Sequence, residues 1–271
     1  MRNLLAIFFR YFFKIPFFKR YYFGIYKKIF APFQLFKNIE KKAFYNSFTV
    51  NLNLNDWIQQ QVYFLGEYEK PEISFINKIL SEGDVFIDIG ANIGLFTINA
   101  SRTVGKKGTV ISFEAFSSNF FKLKKHVEIN HLTNVNLEHL AISDTEKTLE
   151  IYLNNKDQNL GMASSYLEYF DTIEKIKATS LDIYTKEKAL EKINFIKIDI
   201  EGGEYDALSG MKNVLMNYKP ILLIEINRET LSKIGKSEKD LIELLESCTY
   251  QLTNKLSLDE NGYNGVFEAK N

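Results

Sequence analysis

Five short apolar runs, each ending in or soon meeting an acidic residue, constrain this chain more than any other feature. The first, Asp84-Val-Phe-Ile-Asp88-Ile, is rich in β-branched residues and lies between Gly83 and Gly90, so it reads as a buried strand. Thr109 to Phe113 meets Glu114, and Val135 to Ile142 meets Asp144. Ile193 to Ile198 meets Asp199, and Pro220 to Ile226 carries Glu225. Helical patterns separate these runs, at 71–80, 92–103, 117–130, 204–216 and 229–247. The helix at 71–80 has proline at its start and Gly83 past its end. Strands alternating with helices imply a mostly parallel sheet covered on both faces. The tail, 249–269, adds two strand-like pieces around Asp259-Glu-Asn-Gly-Tyr-Asn-Gly265, a hairpin signal. Ligands of such sheets bind at the carboxyl ends of the strands. A single acid there caps the next helix; five together are too many for caps alone.

The loop Asp88-Ile-Gly90-Ala-Asn92-Ile-Gly94 is the sharpest of these signals. Its glycines let backbone approach a ligand closely. A dinucleotide-binding loop reads G-x-G-x-x-G, but Asn92 stands where the second glycine would admit a pyrophosphate. Asp88 would also repel phosphate. Both points count against a nicotinamide-dependent oxidoreductase, the rival within this fold class. The loop suits a phosphate-free ligand with a positive amino group. Glu114, 20 residues after Gly94, can accept hydrogen bonds from both hydroxyls of a ribose. A ribose with a cationic, phosphate-free remainder describes S-adenosylmethionine.

Further stretches make a resemblance specific. Ser112-Phe-Glu114, Ala141-Ile-Ser-Asp144, Ser180-Leu-Asp182, Phe195-Ile-Lys-Ile-Asp-Ile-Glu-Gly-Gly-Glu204 and Pro220-Ile-Leu-Leu-Ile-Glu225 follow the first loop in order. Together they resemble the FkbM family of S-adenosylmethionine-dependent methyltransferases over residues 68–226, with Lys197 to Glu204 the most distinctive part. One departure is Ala115, where the family usually has proline; it leaves Glu114 available. The resemblance implies an α/β, Rossmann-like class I methyltransferase fold. That fold has a mostly parallel seven-stranded sheet with a C-terminal hairpin and helices on both faces. It also implies O-methylation of a hydroxyl on a sugar, glycan precursor or related metabolite. Asp88, Gly90, Asn92 and Gly94 would line the methionine half of the cofactor and Glu114 its ribose. Ser143 and Asp144 would sit by the adenine, although a plain turn explains Asp144 nearly as well.

The candidate catalytic residues are Lys197, Asp199, Glu201 and Glu225. An alcohol is a weak nucleophile, and an acid at the fourth strand's end could orient it or take its proton. Lys197 and Asp199 lie on the same side of their strand by its two-residue period. A lysine in an apolar strand is expensive unless paired, so a Lys197–acid pair is expected. Glu204 reads as a first-turn helix acid. Asp199, Glu225 and Asn227 could in principle hold a divalent ion through oxygen ligands; a hydrogen-bond network is the favoured reading. His126, His131 and His139 read as structural, away from the strand ends. Ser164 and Ser165, in Gly161-Met-Ala-Ser-Ser165, fall where a substrate-side insertion belongs.

Composition fixes the remaining classes. The 271 residues hold 34 basic and 34 acidic groups, a balance that argues against a nucleic-acid binder. One cysteine, Cys248, excludes an internal disulfide and cysteine-ligated zinc, and points to a reducing compartment. The zero net charge hides an asymmetry, because residues 1–37 hold eight Lys/Arg, no acid, ten Phe and four Tyr. No stretch there is long enough to span a bilayer or to act as a cleavable signal. Interleaved rings and cations suit a segment lying in the headgroup layer. The alternative is a helical prefix whose rings pack on the fold or on a second subunit. The expectation is a basic-aromatic extension over 1–50 and a methyltransferase domain over 51–271, cytoplasmic, with peripheral contact at the inner face of the membrane. A non-catalytic membrane-associated module is the competitor of another class. Oligomeric state is not legible.

Overall fold

The computed structural model describes residues 1–153 and 172–270. The chain forms two compact units, which divide at Lys70/Pro71.

The larger unit is built on a seven-stranded sheet. Its strands are β1 (Val85–Ile89), β2 (Thr109–Phe113), β3 (Val135–Glu138), β4 (Phe195–Ile198), β5 (Ile221–Asn227), β6 (Tyr250–Leu256) and β7 (Gly262–Ala269). Their order across the sheet is β6-β7-β5-β4-β1-β2-β3. The β1, β2, β3, β4 and β5 pairings are parallel, whereas β7 runs antiparallel to both β5 and β6. The β6–β7 hairpin is the one its turn residues announce. Strand order reverses beside β1, whose neighbours are β2 and β4. That reversal opens the crevice in which such sheets take their ligands.

The strands are buried because helices cover both faces. Ile87, Ile111, Ile196, Ile198, Leu222 and Ile224 are fully enclosed and share one core with Leu208, Leu241 and Leu245. Glycines, not residue patterning, break two helices that the sequence reads as continuous. The helix after β4 is interrupted at Gly210 and Met211, giving Glu204–Ser209 and Lys212–Tyr218. The next divides at Gly235, in the left-handed region, into Arg228–Lys233 and Glu238–Ser247. Ser237 starts the second piece with a capping box to Asp240. β3 is also shorter than its apolar run, because Ala141–Ile142 leaves it for a separate three-stranded sheet with Lys147–Leu153 and Thr172–Thr179.

The smaller unit, Met1–Lys70, reaches past the boundary expected at residue 50. It contains the helix Arg2–Lys14, short turns through Phe30, the antiparallel hairpin Glu40–Tyr45/Phe48–Asn53 and the helix Trp57–Leu65. The reason is aromatic packing. Phe64 lies 5.1 Å from Phe36, 5.6 Å from Phe30 and 6.1 Å from Phe13, ring centre to ring centre. Tyr22 stacks on Trp57 at 6.0 Å. The inner rings of the prefix therefore build their core on the helix Trp57–Leu65. Among the described residues, no helix is long and apolar enough to cross a membrane.

Candidate active site

The loop after β1 is shaped by backbone that few residues can adopt. Gly90, Asn92 and Gly94 all have positive φ, at 81°, 51° and 90°. Asparagine tolerates that region better than most side chains. At Gly90 only glycine fits, since a Cβ would stand 1.8 Å from the carbonyl oxygen of Asp199. The loop after β1 thus lies directly on the backbone at the end of β4. Gly90 and Ala91 both donate to the Phe113 carbonyl, and the Asp199 amide donates to Ile89. His126, inside the helix Ser117–Ile129, bonds the Ile93 carbonyl at 2.7 Å and pins the far side of the loop.

Glu114 closes this arrangement from β2. Its two carboxylate oxygens accept from the Asn92 amide at 2.7 Å and the Phe116 amide at 2.8 Å. Burial pushes its pKa up to about 7 against these hydrogen bonds. Each oxygen keeps a further acceptor direction, which a diol could use. Asp88 is fully buried; its Oδ2 accepts from Thr97, while its Oδ1 has no hydrogen-bond partner among the described residues. Burial raises its pKa, and the neighbouring Lys197 works against that rise.

A second group of acids gathers at the ends of β4 and β5. Carboxylate oxygens of Asp199, Glu201 and Glu225 lie within 4.8 Å of one another. Lys197 is buried and donates to Asp199 at 2.9 Å, while its ammonium sits 4.6 Å from the centre of the Phe96 ring. The expected lysine–acid pair is present. Burial, then the charges of Asp199, Glu201 and Glu204, raise the Glu225 pKa well above its ordinary range. One oxygen of Glu225 has no hydrogen-bond partner among the described residues.

Two neighbours of this group have partners that sequence alone does not give. Asn227 Oδ1 accepts from the Glu229 and Thr230 amides as a helix cap, in keeping with the hydrogen-bonded reading, while Glu201 lies with Asp199 and Glu225. Glu204 is more than a first-turn acid. It is buried, and its carboxylate accepts from the Ile200 and Gly202 amides, holding a turn in which Glu201 and Gly202 have positive φ.

Ser143 and Asp144 have local partners. The Ser143 amide donates to Thr179, its carbonyl lies against Gly210, and Asp144 accepts from Lys147 at 2.6 Å. His139, read from sequence as remote, directly follows β3 and touches the segment after Glu114. Its Nε2 lies 3.0 Å from the Ala115 carbonyl and 3.2 Å from Ser117 Oγ, and its ring stacks on Phe120. A lone histidine after a strand carries no spacing signal, so sequence could not find it. Ser164 and Ser165 lie outside the described residues.

The strand order and this strand-end site define a Rossmann-like class I methyltransferase. A family described as "Methyltransferase FkbM domain" matches residues 88–252. The chain belongs to the FkbM methyltransferase family, and S-adenosylmethionine is the cofactor its sequence leads one to expect. It is similar to Methyltransferase 1 of Beauveria bassiana (strain ARSEF 2860), at 23% identity over 52% of this chain and 68% of that protein. It is also similar to hexuronic acid methyltransferase AglP of Haloferax volcanii, at 25% identity over 71% of this chain and 74% of that protein. The crystal structure of methyltransferase FkbM from Methylobacillus flagellatus KT aligns with a TM-score of 0.47 at 15% identity, over 79% of this chain. This chain covers only 55% of that one.

The residues present fit the cofactor on two observations. A buried carboxylate oxygen of Asp88 lacks a hydrogen-bond partner among the described residues, and the loop offers acids rather than cations. Such a site matches a cationic amino acid better than a phosphate.

Proposed function

We propose that this enzyme methylates a hydroxyl oxygen on a sugar, a glycan precursor or a related metabolite. The observation that carries this reading is the carboxylate group Asp199, Glu201 and Glu225, set against the loop after β1 through the Gly90–Asp199 contact. The likeness to a hexuronic acid methyltransferase supports the choice of a sugar hydroxyl.

S-adenosylmethionine, when bound, supplies a methyl already activated on sulfonium. The chain's task is alignment and proton removal. Asp88, Gly90, Asn92 and Gly94 hold the methionine half, and Glu114 accepts from the ribose hydroxyls. Ser143 and Asp144 belong to the adenine side. Lys197 holds and aims Asp199, and Glu201 and Asp199 orient the acceptor hydroxyl. Asp199 is the acceptor for the proton that this hydroxyl gives up. Burial and the neighbouring acids raise the pKa of Glu225, which limits repulsion between acids this close. With Lys197 offsetting part of their charge, a hydrogen-bonded group is favoured over one that holds a divalent ion.

The enzyme works on the cytoplasmic side, at the inner face of the membrane, where a lipid-linked acceptor would be met. The test compares methyl transfer to sugar nucleotides, lipid-linked saccharides and amine-bearing peptides, before and after treatment with a chelator. Transfer to a sugar hydroxyl, unaffected by the chelator, supports the reading. Transfer to nitrogen alone overturns the acceptor class, and activity that requires added metal overturns the metal-free chemistry.

A further inference from the structure

The prefix divides its aromatic residues between two jobs. Ala6 and Phe13 are buried on the inner side of the helix Arg2–Lys14. On the opposite side Leu4, Ile7, Phe8 and Tyr11 recur at three- and four-residue steps, an apolar stripe continued by Ile15 and Phe17. Leu4 is 72% exposed, Phe8 58%, Tyr11 64% and Phe17 57%. Among the described residues, eleven of the sixteen exposed large hydrophobic side chains fall within residues 1–33. Scattered exposed apolar side chains are ordinary, whereas a concentration of this kind marks a contact surface.

Cations border the stripe and sit against its rings. The Lys14 ammonium lies 5.1 Å from the centre of the Tyr11 ring, and the Arg20 guanidinium 4.4 Å from that of Phe17. No acid occurs in residues 1–37, and among the described residues Lys19 is the one cation there paired to an acid, through Glu67. We infer that this outward stripe, with Lys14 and Arg20 at its margin, docks on an anionic lipid bilayer. Rings would sink to the acyl boundary while cationic tips stay with the headgroups. Charge decides against a second copy of this chain as the occupant, because two such faces would oppose like charges. The inference rests on the membrane reading above and adds the surface that carries it. It divides the helix between two roles, with the inner rings packed inside the smaller unit and the outer stripe facing lipid.

The test sediments the full chain with phosphatidylcholine vesicles, with and without phosphatidylglycerol, at low and high salt. Binding should need phosphatidylglycerol and weaken with salt. A Phe8→Ser/Tyr11→Ser variant should bind about tenfold more weakly, with melting temperature and S-adenosylhomocysteine affinity unchanged. Lys14→Glu/Arg20→Glu should remove most of the salt dependence. Failure to bind phosphatidylglycerol vesicles overturns the inference, as does wild-type binding by the Phe8/Tyr11 variant. Earlier melting of that variant would return the rings to the fold. Dimers in buffer that the same variant abolishes would make a second copy the occupant. Methyl transfer to a soluble sugar, measured alongside, reports separately on the acceptor reading.

Discussion

Lys197 and Asp199, two residues apart on the carboxyl end of β4, form an ion pair of 2.9 Å in which the lysine is almost wholly enclosed. The pair joins the sheet interior to the acids at its edge. Lys197→Met should leave Asp199 facing Glu225 and Glu201 without compensation. We expect kcat to fall at least about tenfold, and stability to drop by about 1–3 kcal/mol because Asp199 remains partly solvated. The affinity for S-adenosylhomocysteine should change little. Steady-state kinetics, calorimetric titration and denaturant unfolding measure all three, and a normal kcat would remove the pair from the chemistry.

The proposed ribose role of Glu114 predicts a pH signature in cofactor binding. Its pKa of about 7 means that it is largely protonated in mild acid, whereas a ribose diol is best held by the ionised form. Affinity for S-adenosylhomocysteine should therefore rise about five- to tenfold between about pH 6 and about pH 8. Glu114→Gln should flatten that profile, and Glu114→Ala should lose roughly 1.5–3 kcal/mol of binding at the upper pH. A pH-independent wild-type affinity would contradict the assignment.

Stability should move in the opposite direction over nearly the same range. Glu114 and Glu204 are raised by burial from 4.5 to about 7. Between those values the unfolded chain releases protons that the folded chain retains, so rising pH favours unfolding. We expect a loss of roughly 2–5 kcal/mol from about pH 4.5 to about pH 7.5 from these two groups, and the raised Glu225 acts in the same direction. Asp144, lowered by its hydrogen bond from Lys147, works the other way, but only below about pH 4. Melting curves of the cofactor-free protein across this range supply the check; a rise over the window would refute it.

Gly90→Ala addresses the close approach itself. The substitution puts a methyl group into the Asp199 carbonyl at a backbone angle that L-residues rarely adopt. It should destabilise the larger unit by at least about 2 kcal/mol and abolish measurable cofactor affinity. Gly66→Ala, where a Cβ meets nothing within 4 Å but φ is also positive, isolates the backbone share. Equal effects at both positions would show that the contact adds nothing.

The parts of this molecule legible in sequence are those set by short-range chemistry. The strands declare themselves through β-branched runs, and the Lys197–Asp199 pair follows from the two-residue strand period. The loop after β1 is visible because left-handed backbone demands glycine or asparagine. What stayed hidden depends on contacts between distant segments. Nothing local says that Ala141–Ile142 leaves the main sheet, or that Phe64 belongs with Phe13, Phe30 and Phe36. Glu204 also looks like an ordinary helix-start acid until the turn it holds is seen. His139 gains its place only when β3 lies beside β2.

The Gly90–Asp199 contact ties the two halves of the site to each other. A loop that rests on the backbone of another strand cannot settle around one molecule without moving the acid presented to a second. Cofactor and acceptor should therefore sense each other: whatever factor S-adenosylhomocysteine applies to acceptor affinity, the acceptor must apply to S-adenosylhomocysteine. Reciprocity of that kind is blind to sequence of loading: either ligand, bound first, should change the affinity for the other by the same factor.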